Sequence, residues 1–119
     1  MPYSQWKLIF ESEKKESAQK VMNQCLKLIP RPAMDISLSP YHKGGYEGNF
    51  YFYHDEKNEW SQSVLEVIDF GQRIGGSWVL TGTILDSPSG VLSKEIPHTR
   101  IKAAGLIWAS WQLTQEMNT

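Results

Sequence analysis

Apolar and polar residues alternate over the first ten positions. After them the spacing of the apolar residues changes to three or four positions. From Tyr3 to Phe10 the side chains of Trp6, Leu8 and Phe10 fall on one side, as in a β-strand with one buried face. After Ser12 the apolar residues recur every three or four positions, at Ala18, Val21, Met22, Cys25, Leu26 and Ile29. This period predicts an amphipathic helix, which Pro30 and Pro32 end.

Two further strands and a second helix are predicted in the middle of the chain. Met34 to Leu38 alternates and predicts a strand, the turn-rich stretch 40–48 follows, and Asn49 to His54 predicts a third strand. Asp55 or Asn58 is the predicted cap of the next helix. The apolar stripe of that helix comprises Trp60, Val64, Val67, Ile68 and Gly71.

The last third of the chain is rich in β-formers. Trp78 to Leu85 predicts strand structure, 86–90 predicts a turn, and a return segment begins at Val91. The final strand is predicted from Ile101 to Leu113. Because both faces of that strand are apolar, we expect it inside the sheet.

The order of these elements predicts an α+β fold. Strand, helix, strand, strand, helix, strand is the plan of a ferredoxin-like split β-α-β sandwich. We expect an antiparallel sheet of about four or five strands with two helices on one face. The other sheet face would be open or used by a partner. All 119 residues are expected in a single domain, with a disordered tail from Gln115 to Thr119.

Charge and cysteine content narrow the class of function. Twelve Lys and Arg against 13 Asp and Glu give a net charge of −1, so we expect neither direct nucleic-acid binding nor a membrane partner. A single cysteine excludes an intramolecular disulfide and favours a reducing compartment. No basic region followed by an apolar core begins the chain, and no apolar run is long enough to cross a bilayer, so we expect a cytoplasmic protein.

The sequence contains no pattern typical of catalysis. His42, His54 and His98 lack the spacing of metal ligands, so no metal and no cofactor are expected. Cys25 lies on the apolar stripe of the first helix and is interpreted as a core residue. His54, beside two carboxylates, is interpreted as a strand end next to a helix cap. The sequence therefore predicts no catalytic residue and no enzyme activity.

Aromatic and acidic residues suggest a binding surface instead. Aromatic side chains make up 12% of the chain, more than a small core readily hides. The candidate partner-binding residues are Tyr46, Glu47, Tyr53, Asp55, Glu56, Glu59 and Trp60. Together they would form an acidic, aromatic patch for a basic protein. Base stacking on Tyr51 and Tyr53 beside Lys7 is a weaker alternative, because the net charge does not attract nucleic acid.

The segment from Gly76 to Ile84, which contains Trp78-Val79-Leu80-Thr81-Gly82, is followed by a polar turn and then by Gly105-Leu106-Ile107-Trp108. With Trp6 in the first strand, this arrangement resembles small immunity proteins of bacterial polymorphic and contact-dependent inhibition toxins. The resemblance implies a cytoplasmic inhibitor that docks on a cognate toxin protein, such as a nuclease, and occludes its active site or substrate surface. The alternative is a ferredoxin-like regulatory domain that binds a small ligand as a homodimer; a homo-oligomer stays open in either case.

Overall fold

The computed structural model describes residues 1–115 and contains two helices and eight strands. The helices are α1 (Lys15–Lys27) and α2 (Trp60–Ile74). The strands are β1 (Tyr3–Phe10), β2 (Met34–Pro40), β3 (Tyr46–Tyr53), β4 (Gly75–Gly76), β5 (Val79–Thr81), β6 (Ser89–Ser93), β7 (Arg100–Ile101) and β8 (Leu106–Thr114). The predicted disordered tail lies outside the described residues, apart from Gln115.

Six of the strands form one antiparallel sheet in the order β2-β3-β1-β8-β6-β5. The first strand is central, with Trp6 opposite Phe50 of β3 and Trp111 of β8. The last strand lies between β1 and β6, as its two apolar faces predicted. β4 and β7 pair separately as a two-stranded antiparallel sheet.

The predicted ferredoxin-like sandwich is wrong. An antiparallel sheet of about four or five strands with two helices on one face was expected, whereas the main sheet has six strands and is accompanied by a second, two-stranded sheet. The difference arises after α2, where the chain adds β5 and β6 beside β8 and forms the β4–β7 pair from segments that precede β5 and follow β6. The protein is α+β, but most of its regular structure is strand.

Two predicted boundaries also change. The final strand begins at Leu106 rather than Ile101, because the backbone turns at Gly105 with φ of 99°. The second helix is capped by Glu59, not by Asp55 or Asn58. Glu59 forms a capping box with Gln62, whose side-chain oxygen accepts the Glu59 N–H at 2.8 Å.

One hydrophobic core joins both helices to the sheet. Ala18, Met22 and Cys25 of α1 are buried, as the helical period predicted, and burial raises the pKa of the Cys25 thiol to about 12. Strands and helix α2 complete the core with large side chains. The fully buried ones include Trp6, Leu8, Phe10, Phe50, Phe52, Val67, Ile74, Leu92, Trp111 and Leu113.

The other face of the sheet carries polar and aromatic side chains and is covered by neither helix. Its centre holds Lys7, opposite Asn49 on β3 and Ser110 on β8. At one end, Tyr3 lies 6.0 Å from the Tyr51 ring. Within residues 1–115 neither helix has the length and apolar character needed to cross a membrane.

Candidate functional site

The predicted partner-binding residues fall into two separate groups. Tyr46 and Glu47 begin β3, whereas Tyr53 ends the same strand and precedes the loop that leads to α2. Seven residue steps of an extended strand separate Tyr46 from Tyr53, which is about 23 Å. Tyr46 packs against the core, and the Glu47 carboxylate lies 2.7 Å from the Lys7 ammonium. The structure therefore does not bring these two residues to the acidic group.

The second group forms an acidic loop, residues 55–59. Asp55, Glu56 and Glu59 are all exposed. Asp55 accepts the Lys57 backbone N–H at 2.9 Å, and the Glu56 carboxylate is 3.8 Å from the N-terminal ammonium. Since exposed pairs at that distance contribute little, the Glu56 carboxylate remains available to a partner.

An exposed apolar turn, residues 82–87, lies against the start of α2. The Trp60 indole N–H donates to the Ile84 carbonyl at 2.6 Å, which fixes the turn beside the residue that follows Glu59. The side chains of Ile84 and Leu85 are 61% and 83% exposed. Trp60 itself is half-buried and packs against the core. The turn is thus held by its backbone while its apolar side chains face solvent.

Trp60 follows the acidic loop directly and binds the apolar turn, so we treat the two segments together and call them the loop–turn surface. The turn contributes a fourth carboxylate, Asp86, which accepts the Thr83 hydroxyl at 3.5 Å. Lys57 is the basic side chain within the two segments. Exposed apolar side chains with a charged rim are typical of protein-binding surfaces rather than of ordinary solvent-facing loops.

Sequence reasoning missed Ile84 and Leu85 because it extended the strand to Leu85. The strand β5 ends at Thr81, and Gly82 then adopts φ of 79°. A Cβ at Gly82 would lie 2.3 Å from the Ser87 carbonyl oxygen, so the tight turn requires glycine. Gly82, two positions before Ile84, was the signal in the sequence that could have indicated a turn here instead of a continuing strand.

A buried polar network links β1, the residue that follows β3, and α2. His54 Nδ1 lies 2.6 Å from Glu66 Oε1, and its Nε2 lies 2.9 Å from the Ser4 hydroxyl. Arg31 donates to the same Glu66 oxygen at 2.6 Å. His54 was interpreted as a strand end beside a helix cap, and its actual partners are distant in sequence.

The network has the order of a Ser-His-Glu triad but lacks access to a substrate. Ser4 is fully buried and His54 is 1% exposed. The Trp6 indole N–H donates to the Ser4 oxygen at 2.9 Å. With Nδ1–H donated to Glu66, the neutral ring accepts the Ser4 O–H at Nε2, and every group has a partner. The arrangement is therefore structural.

We predict that acid destabilises the fold through His54. Burial lowers the pKa of His54 below its usual value, more than the contact with Glu66 raises it. The unfolded chain therefore takes up the proton first, and the free energy of unfolding falls as the pH drops below about 6.5. Urea unfolding at a series of pH values measures the slope of the free energy of unfolding against pH. His54→Gln should flatten it, whereas His42→Gln, at an exposed histidine, should leave it unchanged; equal slopes in all three proteins would contradict the assignment.

A second concave site, the open-face cleft, lies on the sheet face opposite the helices. Ile9 and Trp108 are paired neighbours on β1 and β8 and form its floor together with Ile107. Tyr41, from the β2–β3 turn, stands beside them. The cleft has a volume of about 390 Å³ and a rim of Lys7, Lys43, Lys94 and Glu95.

The described residues hold no group of three or more histidine, cysteine, aspartate or glutamate side chains arranged to bind a metal ion. Comparison of the chain with protein-family models, with curated proteins and with solved structures gave no match.

Proposed function

We propose that the protein is an immunity protein, which binds a cognate bacterial toxin domain and blocks its active site or substrate surface. The observation that carries this proposal is the hydrogen bond between Trp60 and Ile84, which holds an exposed apolar turn at the start of α2, directly after a loop with three exposed carboxylates. Apolar side chains at the centre of an interface supply affinity, and a charged rim supplies orientation and rate.

The charge of the loop–turn surface favours a basic partner. Its four acidic side chains exceed its basic ones, although the whole chain has a net charge of only −1. A toxin nuclease needs a basic surface to hold the phosphates of its substrate. An acidic inhibitor that covers this surface in the cytoplasm competes with nucleic acid and needs no catalysis of its own.

We predict that charge reversal in the acidic loop weakens toxin binding. Glu56→Lys is the cleanest change because Asp55 and Glu59 also support local backbone structure. The affinity for the toxin domain should fall roughly three- to tenfold for Glu56→Lys and further when Asp55→Lys and Glu59→Lys are added, mainly through slower association. Surface plasmon resonance at two salt concentrations measures both the rate and its screening.

Glu16→Lys is the matched control, since Glu16 is an exposed carboxylate at the start of the other helix. It should change the affinity little. Unchanged affinity in the triple acidic-loop variant, with its fold intact by circular dichroism, would place the interface elsewhere.

A ligand-binding regulatory homodimer is the second candidate function, and the open-face cleft favours it. Its volume of about 390 Å³ is within the range of small-molecule sites. Sedimentation of the purified chain with and without a bound ligand separates the two candidates. A ligand-dependent dimer that fails to protect cells from the toxin would support the regulatory function.

A further inference from the structure

Three tyrosines meet on the uncovered face of the sheet, directly before the acidic loop. Tyr3 lies opposite Tyr53 in the register of β1 and β3, and Tyr51 precedes Tyr53 by two positions and so shares its face. The Tyr3 ring lies 6.0 Å from the Tyr51 ring and 6.2 Å from the Tyr53 ring. We call these three residues the tyrosine cluster. Because Tyr53 is two positions before Asp55, the cluster adjoins the acidic loop.

The rings of the tyrosine cluster are tilted against one another and partly open to solvent. Tyr3 meets the other two rings at interplanar angles of 55° and 51°, so neither contact is a flat stack. Tyr53 is 40% exposed, and Tyr3 and Tyr51 are half-buried. None of the three hydroxyls makes a hydrogen bond with a residue in the described part of the chain. The cluster therefore presents aromatic surface that the core does not use.

The acidic loop gives the neighbourhood of the tyrosine cluster a negative charge. Asp55, Glu56 and Glu59 supply three negative charges. Lys57 and the N-terminal ammonium, 3.8 Å from the Glu56 carboxylate, supply two positive charges. Three negative against two positive charges leave a net charge of −1. The face of an aromatic ring is also the negative end of its quadrupole, so rings and loop both attract a cation.

Two basic side chains near the tyrosine cluster are already paired. Arg31 donates to the backbone carbonyl of Tyr53 at 2.8 Å, and its charge is balanced by Glu66 at 2.6 Å. Lys7, on the same face of β1 as Tyr3, is held by Glu47 at 2.7 Å. Neither side chain cancels the negative charge of the acidic loop, so the rings are open to a cation from outside the chain.

The chemistry of the tyrosine cluster suits arginine better than lysine or a nucleic-acid base. A guanidinium is flat, stacks on aromatic faces and keeps several N–H donors at its edge for carboxylates, whereas a lysine ammonium is compact and strongly hydrated. A base could also stack on the rings, but its phosphates would then lie beside the acidic loop, which repels them. Tyrosine and arginine are also frequent at the centres of protein interfaces.

We propose that the tyrosine cluster receives an arginine side chain of the toxin domain, with the guanidinium on the Tyr53 ring and its N–H groups toward the acidic loop. The proposal rests on the immunity function, because the toxin domain is the partner. It extends the binding surface from the loop–turn surface, through the acidic loop, onto the uncovered face of the sheet.

Two peptides that differ in charge test the tyrosine cluster without the toxin. Acetyl-tetra-arginine amide and the corresponding tetra-citrulline peptide have nearly the same shape, but citrulline is neutral. In NMR titrations of the full chain, tetra-arginine should shift the signals of the three tyrosine rings and saturate by about 10 mM. Tetra-citrulline should bind at least about tenfold more weakly, and a single-stranded oligothymidylate should cause no shift.

Substitutions at Tyr53 separate the ring from its hydroxyl. Tyr53→Leu should weaken the binding of tetra-arginine and of the purified toxin domain by about tenfold, because the aromatic face is lost. Tyr53→Phe keeps that face and should bind both within about twofold of the intact chain. Tyr41→Leu, at a half-buried tyrosine of the β2–β3 turn, is the matched control and should change neither affinity. Thermal unfolding checks that each variant keeps its fold.

The outcomes distinguish this proposal from the immunity function. Unchanged affinities in Tyr53→Leu, an equal loss in Tyr53→Phe, or ring shifts caused by the oligothymidylate would each overturn the arginine site. If the toxin domain binds the intact chain and Tyr53→Leu equally, the immunity function stands without this site. If the intact chain does not bind the toxin domain at all, both proposals fail.

Discussion

Replacing Trp6 with alanine is expected to lower the free energy of unfolding by about 3–5 kcal/mol. The ring is fully buried at the centre of the sheet, stacked on Phe50 at 6.2 Å and met edge-on by Trp78 at 6.0 Å. Its removal opens a large cavity and also deprives the Ser4 oxygen of the indole N–H that it accepts. Urea unfolding followed by far-ultraviolet circular dichroism measures the loss.

Trp108→Ala is the matched control because Trp108 lies on a neighbouring central strand but on the uncovered face, where it is half-buried. Alanine at that position should lower the free energy of unfolding by much less, about 1 kcal/mol. A loss below about 1 kcal/mol for Trp6→Ala would mean that the core described around this ring is wrong.

Ile84→Asp should reduce the affinity for the toxin domain by about 30-fold or more, which is the effect of losing an interface residue worth ~2 kcal/mol. The side chain is 61% exposed, and its backbone carbonyl, not its side chain, holds the turn to Trp60. A carboxylate at this position places charge in an apolar contact while leaving stability within about 0.5 kcal/mol of the original. Isothermal titration calorimetry and thermal unfolding measure the two quantities.

Ile36→Asp provides the same chemical change at the opposite edge of the sheet. Ile36 is 49% exposed on β2, and five inter-strand spacings separate that strand from β5, about 24 Å. The affinity of the Ile36→Asp variant for the toxin domain should stay unchanged. The reverse result, with Ile36→Asp harmful and Ile84→Asp neutral, would move the interface to the β2 edge.

Local period was sufficient to predict the elements up to α2. The alternation around Trp6 and the helical spacing around Cys25 each correspond to an element with the expected buried face. These patterns are short-range consequences of side-chain direction, which is why one sequence reveals them. The region after α2 was harder to predict, because β4, β5 and β7 have only two or three residues each. Strands this short show no alternation of apolar and polar residues.

The candidate site depended on contacts that the sequence does not display. The acidic loop was identified from its composition, but the adjacent apolar turn depends on a bond between Trp60 and Ile84, 24 positions apart. The partners of His54 could not be predicted for the same reason, since Ser4 is 50 positions away. Local pattern does not specify which distant strands and turns meet.

Rescue of growth tests the central claim most directly. The reading frames next to this protein's gene are first expressed one at a time from an inducible promoter, to find one whose product kills the cells. That product is then co-expressed with the intact chain, Ile84→Asp or Ile36→Asp on a second plasmid at matched protein levels. Our account predicts survival with the intact chain and with Ile36→Asp, and loss of viability with Ile84→Asp. Equal killing with and without the intact chain would contradict the immunity function, whereas equal survival with both variants would contradict the assigned surface.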